Sequence, residues 1–163
     1  MKCRIPQRQK ILNPAARKAI RRMVGDCSFL VYAEVWGWGT KRINDMKRDV
    51  EELYEKFDAK YGEDTRGYID ELLRLFTDQY YPIRPGSGEK VLLGREHDIA
   101  YLVHVYCLRK RGFGINRIGI YHKELQKRIK YYNRAFDEAP GVVVDVMENR
   151  LSTRGIRINE NRC

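Results

Sequence analysis

One heptapeptide pattern occurs twice in this chain, as Gly37-Trp38-Gly39-Thr40-Lys41-Arg42-Ile43 and as Gly112-Phe113-Gly114-Ile115-Asn116-Arg117-Ile118. The likeness extends well past the glycines. At a constant offset of 75 residues and without a gap, Met46 meets Tyr121, Val50 meets Leu125, Phe57 meets Tyr132 and Tyr61 meets Phe136. Farther along, Ile69 meets Val144, Asp70 meets Asp145, Leu72 meets Met147, Phe76 meets Leu151 and Ile83 meets Ile158. Few columns are identical, yet apolar positions stay apolar, which is what two copies of one packed unit preserve. Residues of about 27–83 and 102–158 therefore read as a diverged tandem duplication.

Each copy divides into three helices. The first, about Cys27–Trp36 and Arg95–Lys110, is apolar almost all round and belongs at the centre of a bundle. The second starts just after the G-x-G and carries Ile43, Met46, Val50, Leu53, Tyr54, Phe57 and Tyr61 in one copy. Its counterpart carries Ile118, Tyr121, Leu125, Ile129, Tyr132 and Phe136, in steps of three and four that mark a single helical stripe. The third runs roughly over Tyr68–Tyr80 and Val142–Leu151; Val142-Val143-Val144 would also suit a strand, but the aligned Gly67–Leu73 segment has helical period. Asp70 and Asp145 fall in the first turn of this helix, where a negative charge favours the dipole. Before the first copy, Asn13-Pro14 looks like an N-cap followed by proline at the first helical position, opening a short basic helix that ends near Val24. The expectation is an all-α protein, a tandem duplication of a three-helix unit packed as one helical bundle with an N-terminal basic helix. Its segments are 1–25 (basic), 26–83 (first repeat), 84–94 (turn-rich linker) and 95–163 (second repeat and tail).

Lys and Arg number 32 against 22 acids, a net charge of +10, and a positive field of that size favours polyanions. No apolar run reaches the length of a membrane span, so no membrane partner is expected. Cys3, Cys27, Cys107 and Cys163 lie far apart without a C-x-x-C pair, which indicates neither a disulfide framework nor a zinc knuckle and makes the cytoplasm the default location. The acid-free start, with eight Lys or Arg before Asp26, also has the composition of a mitochondrial transit peptide.

Glycines flanking an aromatic between two helices let a helix N-terminus turn its free amides outward, and those amides with Arg42 or Arg117 would suit a phosphate. The competing reading makes Gly37, Gly39, Gly112 and Gly114 structural turns while Trp38 and Phe113 plug the core. A Rossmann or P-loop site is not implied, given the missing third glycine, the missing Gly-Lys-Ser/Thr and the absence of a preceding strand pattern. Where the copies differ, charge changes. The outward stripe of the second long helix is Lys123, Lys127, Lys130 and Arg134, whereas the aligned residues of the first are Arg48, Glu52, Glu55 and Ala59. Arg109, Lys110, Arg111, Arg117 and Arg128 extend the basic region, and Arg17, Lys18, Arg21 and Arg22 form an N-terminal basic arm or a solvated face. A basic helix in one copy and an acidic one in the other also allow head-to-tail self-association, a homo-oligomer. His97 and His104, seven apart, have no carboxylate or cysteine at ligand spacing, so no metal or cofactor is expected. No nucleophile, base and orienter occur together, so no enzyme is expected.

The Gly-aromatic-Gly-x-x-Arg-Ile segment resembles the hairpin of helix-hairpin-helix DNA-binding modules over about a dozen residues per copy. That resemblance implies backbone amides meeting a sugar-phosphate chain, although Trp38 and Phe113 stand where those modules carry an aliphatic residue and the following helix here is long. Over most of one copy, an apolar helix followed by G-F-G-x-x-R-L/I is similar to small uncharacterised phage and prophage proteins of Firmicutes. This likeness implies a phage origin and a host-cell cytoplasm, and it supplies no activity. The expected function is non-enzymatic nucleic-acid binding, mainly through phosphates and with low sequence specificity. The alternative is an inhibitor or adaptor of the anti-CRISPR or anti-defence type that docks on a host nucleoprotein.

Overall fold

The computed structural model describes residues 14–76, 89–138 and 150–151. Its regular structure is α1 (Pro14–Glu34), α2 (Thr40–Tyr61), α3 (Thr65–Arg74), α4 (Glu89–Lys110) and α5 (Ile115–Glu138), with no strand among the described residues. The all-helical class expected from the periodicity is therefore the class observed.

Pro14 opens α1, where its fixed φ and missing N–H suit a first turn. From there α1 runs unbroken through Gly25 and Asp26, so the expected boundary between a basic N-terminal helix and the first helix of the repeat does not exist. Packing explains the difference. Every residue from Met23 to Ala33 is buried. A helix-interior glycine costs about 1 kcal/mol, less than the roughly 1.5–3 kcal/mol gained by burying one large apolar side chain. Two other boundaries also shift. The helix expected from Tyr68 to Tyr80 starts at Thr65, because the Asp64 carboxylate accepts a hydrogen bond from the Gly67 N–H at 3.0 Å, and it ends at Arg74. Asp70 consequently lies mid-helix on an exposed position rather than in the first turn. Helix α4 begins at Glu89, so the second half of the expected linker is helical. The first thirteen residues, the end of the first repeat with the first half of the linker, the Val142–Val144 segment with Asp145, and the tail lie outside the described residues.

The core is built on α1 and α4, which pack against each other and run in the same direction. Arg17 meets Glu96 near their starts, and Trp36, just past the end of α1, meets Phe113, just past the end of α4. Between these points the Tyr32 hydroxyl lies 2.7 Å from His104 Nδ1. The two long amphipathic helices cover this pair crosswise: α5 packs mainly on α1, and α2 packs on α4, as does α3. Their buried stripes are the expected ones, Ile43, Met46, Val50 and Phe57 on α2 and Ile118, Tyr121, Leu125 and Tyr132 on α5. Each half of the chain thus completes its core with a helix from the other half.

A charged clamp closes one end. Glu96, fully buried, accepts from Arg17 Nε at 3.0 Å and from Arg21 Nε at 2.6 Å. Arg21 also grips both Asp58 oxygens, at 2.8 and 2.9 Å, and its guanidinium lies 4.4 Å from the centre of the Tyr54 ring. Tyr68 donates to the same Asp58 carboxylate at 3.1 Å, so α1, α2, α3 and α4 are tied through one network.

Candidate nucleic-acid interface

Because α1 and α4 run in parallel, their ends bring the two G-x-G turns together opposite the clamp. Gly37 and Gly112 close those helices with φ of 66° and 84°, the left-handed conformation in which a side chain is strained. The Phe113 ring stands edge-on to Trp36 at 4.9 Å and to Trp38 at 5.7 Å. Trp38 and Phe113 are 5% and 4% exposed, so they fill the core between the turns. Immediately beyond, α2 starts at Thr40 and α5 at Ile115, and their first helical bonds run from Ile43 to the Gly39 carbonyl at 3.1 Å and from Ile118 to the Gly114 carbonyl at 3.0 Å. Gly39 and Gly114 differ from the first glycine of each pair. Neither has positive φ, and a Cβ on either would meet nothing within 4 Å. Backbone conformation therefore requires glycine at Gly37 and Gly112, and neither conformation nor packing requires it at Gly39 or Gly114.

Arg42 and Arg117 lie on the first turns of α2 and α5. Each guanidinium covers the plug aromatic of its own turn, 4.3 Å from the Trp38 ring centre and 5.0 Å from that of Phe113, and both residues are exposed. Two helix N-termini, each equivalent to about half a positive charge, and two guanidiniums consequently share one end of the bundle. Lys123, Lys127 and Lys130 continue outward along α5 and are all exposed; the Arg134 side chain lies outside the described residues. Tyr131, 74% exposed, flanks the last two lysines. The stripe is less purely cationic than its own residues suggest, since Glu124 reaches Lys127 at 3.4 Å and Arg128 at 2.8 Å. On α2 the aligned Glu52 and Glu55 are equally exposed.

Several basic residues singled out in the sequence serve the fold. Arg17 and Arg21 belong to the Glu96 and Asp58 clamp, Arg111 holds Asp49 at 2.6 Å and the Cys107 carbonyl at 3.1 Å, and Arg128 reaches both Glu124 and Glu34. Lys110 is exposed, with its ammonium 5.0 Å from the Tyr106 ring centre; Arg109 is half-buried; Lys18 is exposed and Arg22 half-buried. Cys27 and Cys107 are unbridged and buried, and burial pushes the Cys107 thiol up to about 12, out of reach of ordinary thiolate chemistry.

Family models, curated proteins and solved structures give no match to this chain.

The sequence did not single out a second feature, a cavity of about 230 Å³ between α1, α2 and α4. Asp26, only 2% exposed, lines it, and its Oδ2 has no hydrogen-bond partner. Burial raises the Asp26 carboxyl to about 7, against the opposing pull of Arg22 and Lys47. The buried Tyr54 hydroxyl, which also lines the cavity, has no partner either. His104 completes the wall as a neutral ring, burial having lowered it to about 3. The sequence signal for this site was an acid just ahead of the apolar run Phe29–Ala33, which reads as a mere composition boundary unless the helix is known to continue through it.

Asp26 gives stability a pH dependence of definite sign. Between its ordinary value of 3.8 and about 7, the native chain keeps a proton that the unfolded chain has released. Stability contributed at this site is therefore present at low pH, falls as pH rises through that window, and is fully lost above it. Asp26→Asn removes the titration. The variant's unfolding free energy relative to the parent is expected to grow by about 1.4 kcal/mol per pH unit between pH 4 and 7 and then level off. Urea melts of both proteins at pH 4.5, 6 and 8 measure it; a pH-independent difference would mean that Asp26 is ionised throughout.

Proposed function

We propose that the protein binds nucleic acid through backbone phosphates, with low sequence specificity and without catalysis, in the cytoplasm of a phage-infected or prophage-bearing host. The observation that carries this reading is the convergence of the α2 and α5 N-termini with Arg42 and Arg117 at one end of the bundle, continuous with the exposed lysines of α5. First-turn amides and guanidiniums are complementary to phosphate oxygens. Bare backbone at Gly39 and Gly114, which neither φ nor packing demands, leaves room for close approach to those amides. Tyr131 beside Lys127 and Lys130 adds an aromatic face of the kind on which unpaired bases stack. The two G-x-G segments are read as diverged copies of one ancestral unit, the second having taken on the basic surface.

The Lys127→Glu, Lys130→Glu double variant tests this directly. Both side chains are exposed, and the ion pair of Lys127 with Glu124 is an exposed i, i+3 pairing worth a few tenths of a kcal/mol. Folding is expected to survive, while affinity for a random-sequence oligonucleotide drops and the slope of log K against log salt shrinks by about 0.9 for each phosphate that is no longer neutralised. Unchanged affinity and slope would remove the nucleic-acid reading of α5. A protein partner would then take precedence, as an inhibitor or adaptor acting on a host nucleoprotein, and the exposed Ile115 and Ile120 on the same helix favour it.

A further inference from the structure

The cavity between α1, α2 and α4 contains more than a space-filling defect would. Its walls include the Phe29 ring and Val50, its buried acceptor is the Asp26 carboxylate, the Tyr54 hydroxyl is unpartnered, and its rim carries Lys18, Arg22 and Lys47 together with the one acid Glu51. A Cβ on Gly25 would stand 3.9 Å from Phe29 Cε2 and 4.0 Å from His104 Nε2, so the missing side chain widens the space beside these two rings. At about 230 Å³ it falls below the roughly 300–1,000 Å³ typical of drug-sized ligands and suits one small ring system.

Charge decides among ring systems. An organic cation would satisfy Asp26 but would have to pass a rim on which Lys18, Lys47 and Arg22 outnumber Glu51. A purely anionic ligand would satisfy the rim and repel the carboxylate. A neutral ring that presents two adjacent donors inward and carries an anionic tail outward satisfies both, and guanine attached to a phosphate is such a ligand. Its N1–H and exocyclic amine lie side by side and match one carboxylate, whereas adenine and cytosine place a ring-nitrogen acceptor next to the amine. We propose that this cavity receives a guanine ring, with the Asp26 carboxylate accepting from the two donors of its Watson–Crick edge and the Lys18, Arg22 and Lys47 rim meeting the attached phosphate. The inference rests on the nucleic-acid reading for its source of guanine, an unpaired base of a bound strand, but the same chemistry would take a free guanine nucleotide.

Around Asp26 stand Arg22 on its own helix, Lys47, Glu51 and Tyr54 on α2, and the neutral His104 on α4. The measurement is therefore made at pH 8, where the carboxylate is ionised. Calorimetric titration of the full chain with GMP and with AMP is expected to favour GMP by about tenfold or more, the scale of one charge-assisted hydrogen bond. Asp26→Asn, which presents one acceptor and one donor, is expected to lose that preference, and Gly25→Ala is expected to weaken GMP binding while keeping the fold, because alanine fits the helix better than glycine. Equal affinity for GMP and AMP, or a GMP preference that survives Asp26→Asn, overturns the proposal. A second pair of titrations compares an oligo-dT with the same strand carrying one central dG. Tighter binding of the dG strand, abolished by excess GMP, identifies the strand as the source; GMP preference without it identifies the free nucleotide. If the oligonucleotides bind equally through the α5 lysines and GMP does not bind at all, the guanine site is refuted and the phosphate reading stands.

Discussion

Trp38→Ala is expected to lower the unfolding free energy by about 3–5 kcal/mol, the cost of an aromatic-sized cavity in a packed core. Trp38 is 5% exposed and sits among the rings of Tyr32, Trp36 and Phe113, at centroid distances of 4.8, 5.9 and 5.7 Å. No neighbour can collapse into its place without dismantling the packing between the two turns. Arg42→Ala, which removes only the cation over the ring, is expected to cost about 0.5–1 kcal/mol. Chemical denaturation of both variants, followed by circular dichroism, separates the plug from the cation that covers it. A Trp38→Ala curve superimposable on the parent's would show that the turns are held together by something else.

Glu96→Ala is expected to cost about 3 kcal/mol for a different reason. Removing one partner of a buried ion pair leaves its counter-charge without compensation, at roughly 3–5 kcal/mol. The lower end applies here because Arg21 keeps both bonds to Asp58 when Glu96 is gone, whereas Arg17 keeps the Gly62 carbonyl at 3.0 Å. The triple variant Glu96→Leu, Arg17→Met, Arg21→Met, in which no charge is stranded at Glu96, is expected to recover part of that loss. Asp58 would lose its guanidinium in that protein but keep the hydroxyl of Tyr68. Guanidinium chloride melts of the single and triple variants measure the difference, and a triple variant less stable than Glu96→Ala would show that the clamp is worth more than its desolvation.

What the sequence revealed was local. The starts of α2 and α5 were legible because glycine, aromatic and a three–four apolar step coincide at one point. The burial of Trp38 and Phe113 followed from their place between an all-apolar helix and an amphipathic one. The continuity of α1 was not legible, because Gly25 and Asp26 imitate a boundary and only burial against α4 overrides them. The Asp64 cap went unread, since the apolar period of α3 begins later, at Tyr68 and Leu72, and drew the start toward itself. Partnerships were beyond reach in principle. A hydrophobic stripe states which face of α5 is buried and says nothing of whether α1 or α4 covers it. For the same reason Arg17, Arg21 and Arg111, which look like a basic surface in sequence, turn out to hold Glu96, Asp58 and Asp49, acids 79, 37 and 62 residues away.

The crosswise packing of α5 on α1 bears on how the chain acquires its structure during synthesis. α1 leaves the ribosome before α4 and α5, with a segment, Met23–Ala33, that is buried all round in the finished fold. Neither of its main partners precedes Glu89, and the second is not complete until Glu138. At translation rates of about 5–20 residues per second, the apolar half of α1 waits on the order of 5–20 s for its cover. Through that interval the nascent chain carries an apolar helical segment without its cover, and packing of this core is deferred until α5 has been synthesised.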